Sequence, residues 1–106
     1  ALDVGKRTGC HVTVDRYWLS EPTPFDSNVI GTVARAVAQV GLPVRRLWSG
    51  AGHDAKYMQD ISPAAMIFVR SYHGLSHCPE EYSSPEDVEA GVKVLLHATL
   101  ELAEYQ

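Results

Sequence analysis

The sequence predicts an α/β fold, a small three-layer β-α-β-α-β-α unit on a mainly parallel sheet. Three patterns in the 106 residues point to it: alternation of period two near the N-terminus, two amphipathic stretches with helical spacing, and the apolar run Ala64-Ala65-Met66-Ile67-Phe68-Val69. That run lacks alternation, as a strand buried on both faces does, and is expected to be the central strand. The length allows one domain with one small core. With 45% hydrophobic and 21% charged residues, the composition is globular rather than disordered or fibrous.

Residues 1–10 mix charge and glycine without a period and are expected to be a tail or the remnant of a preceding element, with 11–106 forming the single domain. In 11–18 the apolar Val12, Val14 and Trp18 share one parity, which predicts the first strand. Pro22 and Pro24 cannot donate ladder hydrogen bonds or continue a helix, so an extended connection follows. Asp26 and Ser27 are candidate caps for a helix over 27–39, whose stripe is Val29, Val33, Val37 and Val40, broadened by Ile30 and Ala34. Gly41 suits the left-handed position that closes a helix, and Pro43 prevents continuation.

A short second strand is expected over 44–48. Gly50-Ala51-Gly52 then turns into a short helix over 53–60, with Ala55, Met58 and Ile61 facing inward and Pro63 ending it. After the central strand, a loop over 71–83 is long for a βα connection and rich in Gly, Ser, Pro and His. Ser84-Pro85-Glu86-Asp87 is a helix start: Ser84 caps, Pro85 takes the first helical position, and Asp87 answers as the third capping-box residue. The helix is expected to reach about Tyr105, with Val88, Val92, Leu95, Leu96, Thr99 and Leu102 as its stripe.

The formal net charge of -4, with no basic stripe to neutralise phosphates, argues against nucleic acid as a partner. No apolar run approaches the ~20 residues of a membrane span, and no charged-then-apolar signal pattern opens the chain. A soluble, cytoplasmic protein is the expectation. Cys10 and Cys78 are too few for a disulfide scaffold and are expected as reduced thiols.

In parallel sheets ligands sit beyond the carboxyl ends of the strands, which directs attention to the loops 49–54 and 71–83. In the first, Gly50 and Gly52 let the backbone turn sharply and approach a ligand closely, with His53 and Asp54 following. At the positive end of a helix a neutral imidazole that makes one hydrogen bond to a substrate is the natural role for His53. The plainer alternative is a tight turn with His53 as a solvated cap. Gly50, Gly52 and Ala55 also satisfy a relaxed dinucleotide fingerprint, but Arg70 stands near where an acid would meet the ribose. Ser49, His53 and Asp54 lie too close in sequence for triad geometry to be assumed.

The second loop gathers His73, His77, Cys78, Glu80 and Glu81, all potential zinc ligands by type. With Cys10 or His11 they fit no diagnostic spacing for a closed site, and a polar surface loop is the alternative. His97, beside the last apolar stripe, is assigned no role.

Taken together, Ser49-Gly50-Ala51-Gly52-His53-Asp54-Ala55, Met66-Ile67-Phe68-Val69, Gly74-Leu75-Ser76-His77-Cys78-Pro79-Glu80 and Ser84-Pro85-Glu86-Asp87-Val88, in that order, resemble one family. It is the metal-dependent N-carbamoyl-L-amino-acid hydrolase and allantoate amidohydrolase group, with β-ureidopropionase, within the aminoacylase/carboxypeptidase-like metallohydrolases. The resemblance implies that His77 is the last ligand of a dinuclear zinc, manganese or cobalt centre. It also implies that His53 approaches the substrate's reacting carbonyl, with Gly50, Gly52 and Asp54 beside it in the binding segment. Family members cleave amide or ureido C–N bonds with a metal-activated water and a glutamate base.

By the same resemblance the chain matches the part that follows an inserted dimerisation domain, half of a zinc-metallohydrolase catalytic domain. The upstream ligands, the general base and the inserted domain's substrate contacts have no counterpart here. The expectation is a fragment or stand-alone remnant, inactive alone, that forms a homo-oligomer through an exposed sheet edge or helix face. A non-catalytic α/β interaction module is the alternative. A third reading completes a metal site across an oligomer interface with His53, Asp54, His73, His77 and Cys78.

Overall fold

The computed structural model describes residues 1–104. Its elements are α1 (Leu2–Thr8), α2 (Ser27–Gln39), α3 (Ala55–Gln59), a 3₁₀ turn (Tyr72–Gly74) and α4 (Pro85–Glu104). No strand occurs among the described residues, which corrects the expected β-α-β-α-β-α unit and its parallel sheet. The reason is that a strand exists through its neighbour: period-two patterning prepares a segment for a ladder but supplies no partner. Segments 11–18 and 44–48 have none here, and their large side chains stand in solvent, Trp18 at 69% exposure and Trp48 at 83%. The expected central strand is hydrogen-bonded at its start, where Ala64 O accepts from Asp26 N at 3.1 Å and Ala64 N donates to Gln59 Oε1 at 2.9 Å.

The helices follow local chemistry closely. The Asp26 carboxylate accepts from the Asn28 and Val29 amides at 2.9 and 3.0 Å, satisfying donors that the first turn of α2 leaves orphaned. At the other end Gly41 has φ +76°, its amide donates to Ala38 O, and Leu42 N donates to Val37 O. That pair of bonds is a Schellman closure, and it needs a residue at ease with positive φ. For α4, Ser84 Oγ accepts from Asp87 N at 3.1 Å and donates to the Asp87 carboxylate at 3.0 Å, with Pro85 opening the helix. The expected end of α4 near Tyr105 lies outside the described residues.

Helix α1 falls where no structure was expected. Seven residues with a central glycine give a weak pattern, yet Asp3 in its first turn and Lys6 and Arg7 in its last complement the helix dipole. Gly5 is buried, and a Cβ there would lie 2.5 Å from Val12 Cγ2, so the returning chain packs directly on the helix backbone.

The core lies between α2 and α4, where Ala36 and Ala98 flank Val94 and the Thr32 side chain is also buried. Val33, Val37, Val40 and Ile67 pack around that centre. Small residues on both helices allow close backbone approach, and Arg35 crosses to the Glu101 carboxylate, donating through Nε at 2.8 Å. On α2, Val33, Val37 and Val40 of the expected stripe pack on this core, but the residues it buries, Thr32 and Ala36, lie outside that stripe. On α4 the expected stripe does not face it: Val94 and Ala98 are buried, whereas Val88, Val92, Leu95, Leu96 and Leu102 are exposed. This helix therefore carries two apolar faces, and the one rich in larger side chains is uncovered among the described residues. Segment 64–69 runs beside it, forming with Val88, Gly91, Val92 and Leu95 an open apolar groove of ≈ 370 Å³.

Candidate functional site

The first loop is built by a turn and two braces. The Ser49 hydroxyl accepts from the Ala51 amide at 3.1 Å, folding the backbone at Gly50, and the chain enters α3 two residues after His53. The helix thus begins later than the expected 53–60, with Asp54 at its N-cap position but making no side-chain cap. Lys56 Nζ holds Ser20 Oγ and the Glu21 carbonyl, while Gln59 Oε1 accepts from the amides of Asp26 at 3.1 Å and Ala64 at 2.9 Å. One side chain thereby joins α3, the N-cap of α2 and the start of segment 64–69.

His53 is held on two sides. Its Nε2 lies 2.6 Å from Ser49 Oγ, and its ring meets Phe68 edge-on, with centroids 5.9 Å apart and an interplanar angle of 71°. Nδ1 has no protein partner among the described residues. From sequence, Ser49, His53 and Asp54 lie too close for triad geometry to be assumed, and the contact between Ser49 and His53 was not among the expectations. The signal was nonetheless present, since a turn returns residue i to the vicinity of i+4. Asp54, by contrast, makes no side-chain bond to His53, so no Ser-His-Asp relay exists here.

Gly50 and Gly52 are not among the glycines with positive φ, and a Cβ on either would meet nothing within 4 Å. The expected sharp glycine turn is therefore not what places them. Their own fold does not require glycine, and what the missing side chains leave is open backbone on both sides of Ala51, next to the imidazole.

The second loop is closed at its neck by Tyr72 N donating to Tyr82 O at 2.7 Å. Within it His73, Gly74 and His77 all have left-handed backbones, with φ of 52°, 69° and 60°. Two of these are non-glycine, a conformation that costs about 1–2 kcal/mol per residue unless local contacts hold it. For His77 the contacts are visible: its amide donates to Glu81 Oε2 at 2.8 Å, and its Nδ1 lies 2.7 Å from Ser76 Oγ. Its Nε2 is the nitrogen left open. His73 stacks edge-on against Tyr72 instead, and the Cys10 and Cys78 thiols are both free.

No group of three or more His, Cys, Asp or Glu side chains among the described residues is placed to hold a metal ion. His73, His77 and Cys78 with Cys10 or His11, which fit no diagnostic spacing in the sequence, do not converge in the structure either, and His77 stands as a single imidazole. One such ligand does not bind zinc, manganese or cobalt usefully, because these ions take three or four protein donors. The donors in this chain do not fit a metal centre by themselves.

The two loops thus each present a histidine bonded to a serine hydroxyl, His53 to Ser49 and His77 to Ser76. Residues 2–101 match the peptidase family M20/M25/M40, and the chain belongs to that family. Within it, the chain is 38% identical to a ureidoglycolate hydrolase of Oryza sativa subsp. japonica over 104 residues, which is 97% of this chain and 22% of that protein. It is 38% identical to an N-carbamoyl-L-amino acid amidohydrolase of Geobacillus stearothermophilus over 104 residues, 98% of this chain and 25% of the relative. It is 36% identical to an allantoate amidohydrolase of Bacillus subtilis (strain 168) over 95 residues, 90% of this chain and 23% of the relative. The chain thus spans about a quarter of the length of these curated relatives. No helix among the described residues is long and apolar enough to cross a membrane.

Proposed function

We propose that this chain is part of the catalytic domain of a metal-dependent amidohydrolase that cleaves C–N bonds of N-carbamoyl amino acids or related ureido and linear amides, and that it is inactive alone. The supporting observation is the loop 49–54, where an imidazole with a free Nδ1 sits beside two glycines that the fold does not itself require. Such an arrangement suits a planar amide or ureido group lying against open backbone, with His53 as the group that meets its carbonyl and Gly50, Gly52 and Asp54 as neighbours. Relatives named for ureidoglycolate, N-carbamoyl-L-amino acids and allantoate share a ureido substrate chemistry, which supports the same class.

His77 is the one residue of this chain assigned to the metal, zinc, manganese or cobalt, which belongs to the assembled enzyme. Ser76 at Nδ1 and the backbone bond to Glu81 orient its ring, as outer partners of metal-binding histidines do. The free thiols suit the reducing cytoplasm.

Grafting this chain over the matching segment of the Geobacillus stearothermophilus relative tests the assignment. The chimera is expected to hydrolyse an N-carbamoyl amino acid, and His53→Ala to lower kcat/KM by about 10²-fold or more. The isolated chain supplied with zinc, manganese or cobalt is expected to be silent. Turnover by the isolated chain would overturn the claim of inactivity, and an undiminished His53→Ala chimera would remove His53 from the reaction.

A second reading, a non-catalytic module that self-associates, is favoured by the uncovered face of α4, where Val92, Leu95 and Leu96 are each more than half exposed. Homo-oligomerisation through that helix face is compatible with both readings. Light scattering across a concentration series decides it: a constant monomer mass sinks the module reading.

A further inference from the structure

The pairing of Ser49 with His53 has a direction. At 2.6 Å, the Oγ···Nε2 separation is that of a short hydrogen bond. A serine hydroxyl has one proton and two lone pairs. One lone pair already receives the Ala51 amide, and Nε2 of His53 is the acceptor within reach of the proton. With the serine as donor, Nε2 accepts and the proton of the neutral ring resides on Nδ1; with Nε2–H as donor, the hydroxyl's second lone pair accepts and its proton has no protein acceptor among the described residues.

We propose that Ser49 is a positioning residue that fixes His53 as the Nδ1–H tautomer, so that the histidine presents a hydrogen-bond donor, not a base, to the carbonyl or carboxylate oxygen of an acyl or ureido substrate. The inference rests on the assignment of His53 to the substrate site. It adds the identity of the facing atom and the sense of its hydrogen bond. Phe68 contributes the other constraint, holding the ring edge-on so that a flip exchanging Nδ1 with Nε2 is resisted. A preset donor costs no reorganisation as negative charge grows on a substrate oxygen, whereas a ring free to flip or change tautomer would have to be ordered first.

Long-range ¹H–¹⁵N correlation spectra of the full 106-residue chain, without substrate and at a pH where the His53 ring is neutral, read the tautomer directly. The expected wild-type pattern has Nδ1 at the protonated position and Nε2 at the unprotonated one. Ser49→Ala is expected to lose this pattern and move toward the Nε2–H form, Ser49→Thr to restore it by keeping the hydroxyl, and Phe68→Ala to retain it. Helical circular dichroism confirms that each variant folds, and Ser49 is exposed, so its truncation leaves the α2–α4 core untouched. A wild-type ring protonated at Nε2, or a Ser49→Ala ring with an unchanged tautomer, overturns the proposal. Because no turnover is involved, that failure is separate from failure of the hydrolase assignment, which the chimera tests.

Discussion

The helix pair α2–α4 and the non-helical segments outside it are held in different ways. In the pair, nearly every feature is local or between immediate neighbours: Asp26 and Ser84 cap, Gly41 closes, and Ala36, Val94 and Ala98 meet at the centre. The segments 11–18, 44–48 and 64–69 carry equally apolar residues but no ladder partner, and they stay irregular, the first two largely exposed and 64–67 half-buried. The difference shows that apolar patterning yields structure only where the complementary surface is within the same chain. The candidate site belongs to the second kind of region, held not by burial but by a few polar braces through Lys56 and Gln59.

The contrast breaks most sharply at its strongest point. Val94→Asp places a carboxylate where the core has no counter-charge, and a loss of about 3 kcal/mol or more is expected, seen as collapse of the helical circular dichroism signal at room temperature. A chain that keeps its helices after that change would show that the pair does not depend on its core. Next in size, Asp26→Ala removes the acceptor of two amide bonds and is expected to cost about 0.5–2 kcal/mol in thermal unfolding, while Asp26→Asn recovers most of it.

Gly91 sharpens the boundary between the two regions. A Cβ there would lie 2.7 Å from Val69 Cγ2, so Gly91→Ala crowds segment 64–69 against α4. Alanine also favours the helix by about 1 kcal/mol, so the expected single-variant loss is small, about 1 kcal/mol or less. In a Val69→Ala background the same change should stabilise. A loss in both backgrounds would mean that the segment does not rest on the helix as described.

The smallest effect is at the Lys93–Glu89 pair, 2.6 Å apart on the surface. The hydrogen bond and charge of Lys93 lower the Glu89 carboxyl below its ordinary value. Its stabilisation is therefore present above the ordinary carboxylate range and is lost as pH falls through the lowered value. Since Glu89 is fully exposed, Lys93→Ala is expected to leave the melting curve unchanged at neutral pH and in acid alike. A visible shift would give the exposed face of α4 more influence than the core comparison allows.

What was legible in the sequence divides along the same line. Helix α2 falls at 27–39 and ends at Gly41 as read, because caps and stripes are encoded within a few residues. The start of α4 is equally plain, but its inward face was misread. Leu95 and Leu96 outweigh Ala98 in any count of hydrophobicity, whereas close helix approach selects the smaller residue. The strands were illegible in a deeper sense, since ladder formation depends on backbone remote in sequence. At the site, His53 and its glycines stood out by motif. Ser49 and Phe68 stood within the same motifs, but their contacts to His53, like the bonds of Gln59, depend on distances that only the fold sets.

The elongated form of the chain bears on its behaviour in solution. Extents of 63 × 33 × 19 Å and a radius of gyration of 19.4 Å contrast with the ~13 Å of a compact domain of this length. Such a particle experiences more drag than its mass implies. It should elute early from a sizing column, at the volume of a larger spherical protein, and sediment slowly for its weight, so a monomer imitates a dimer in the first experiment and a lighter chain in the second. Its tumbling is anisotropic as well, and nuclear relaxation rates along the axis of α4 should differ from those of amides that point across it.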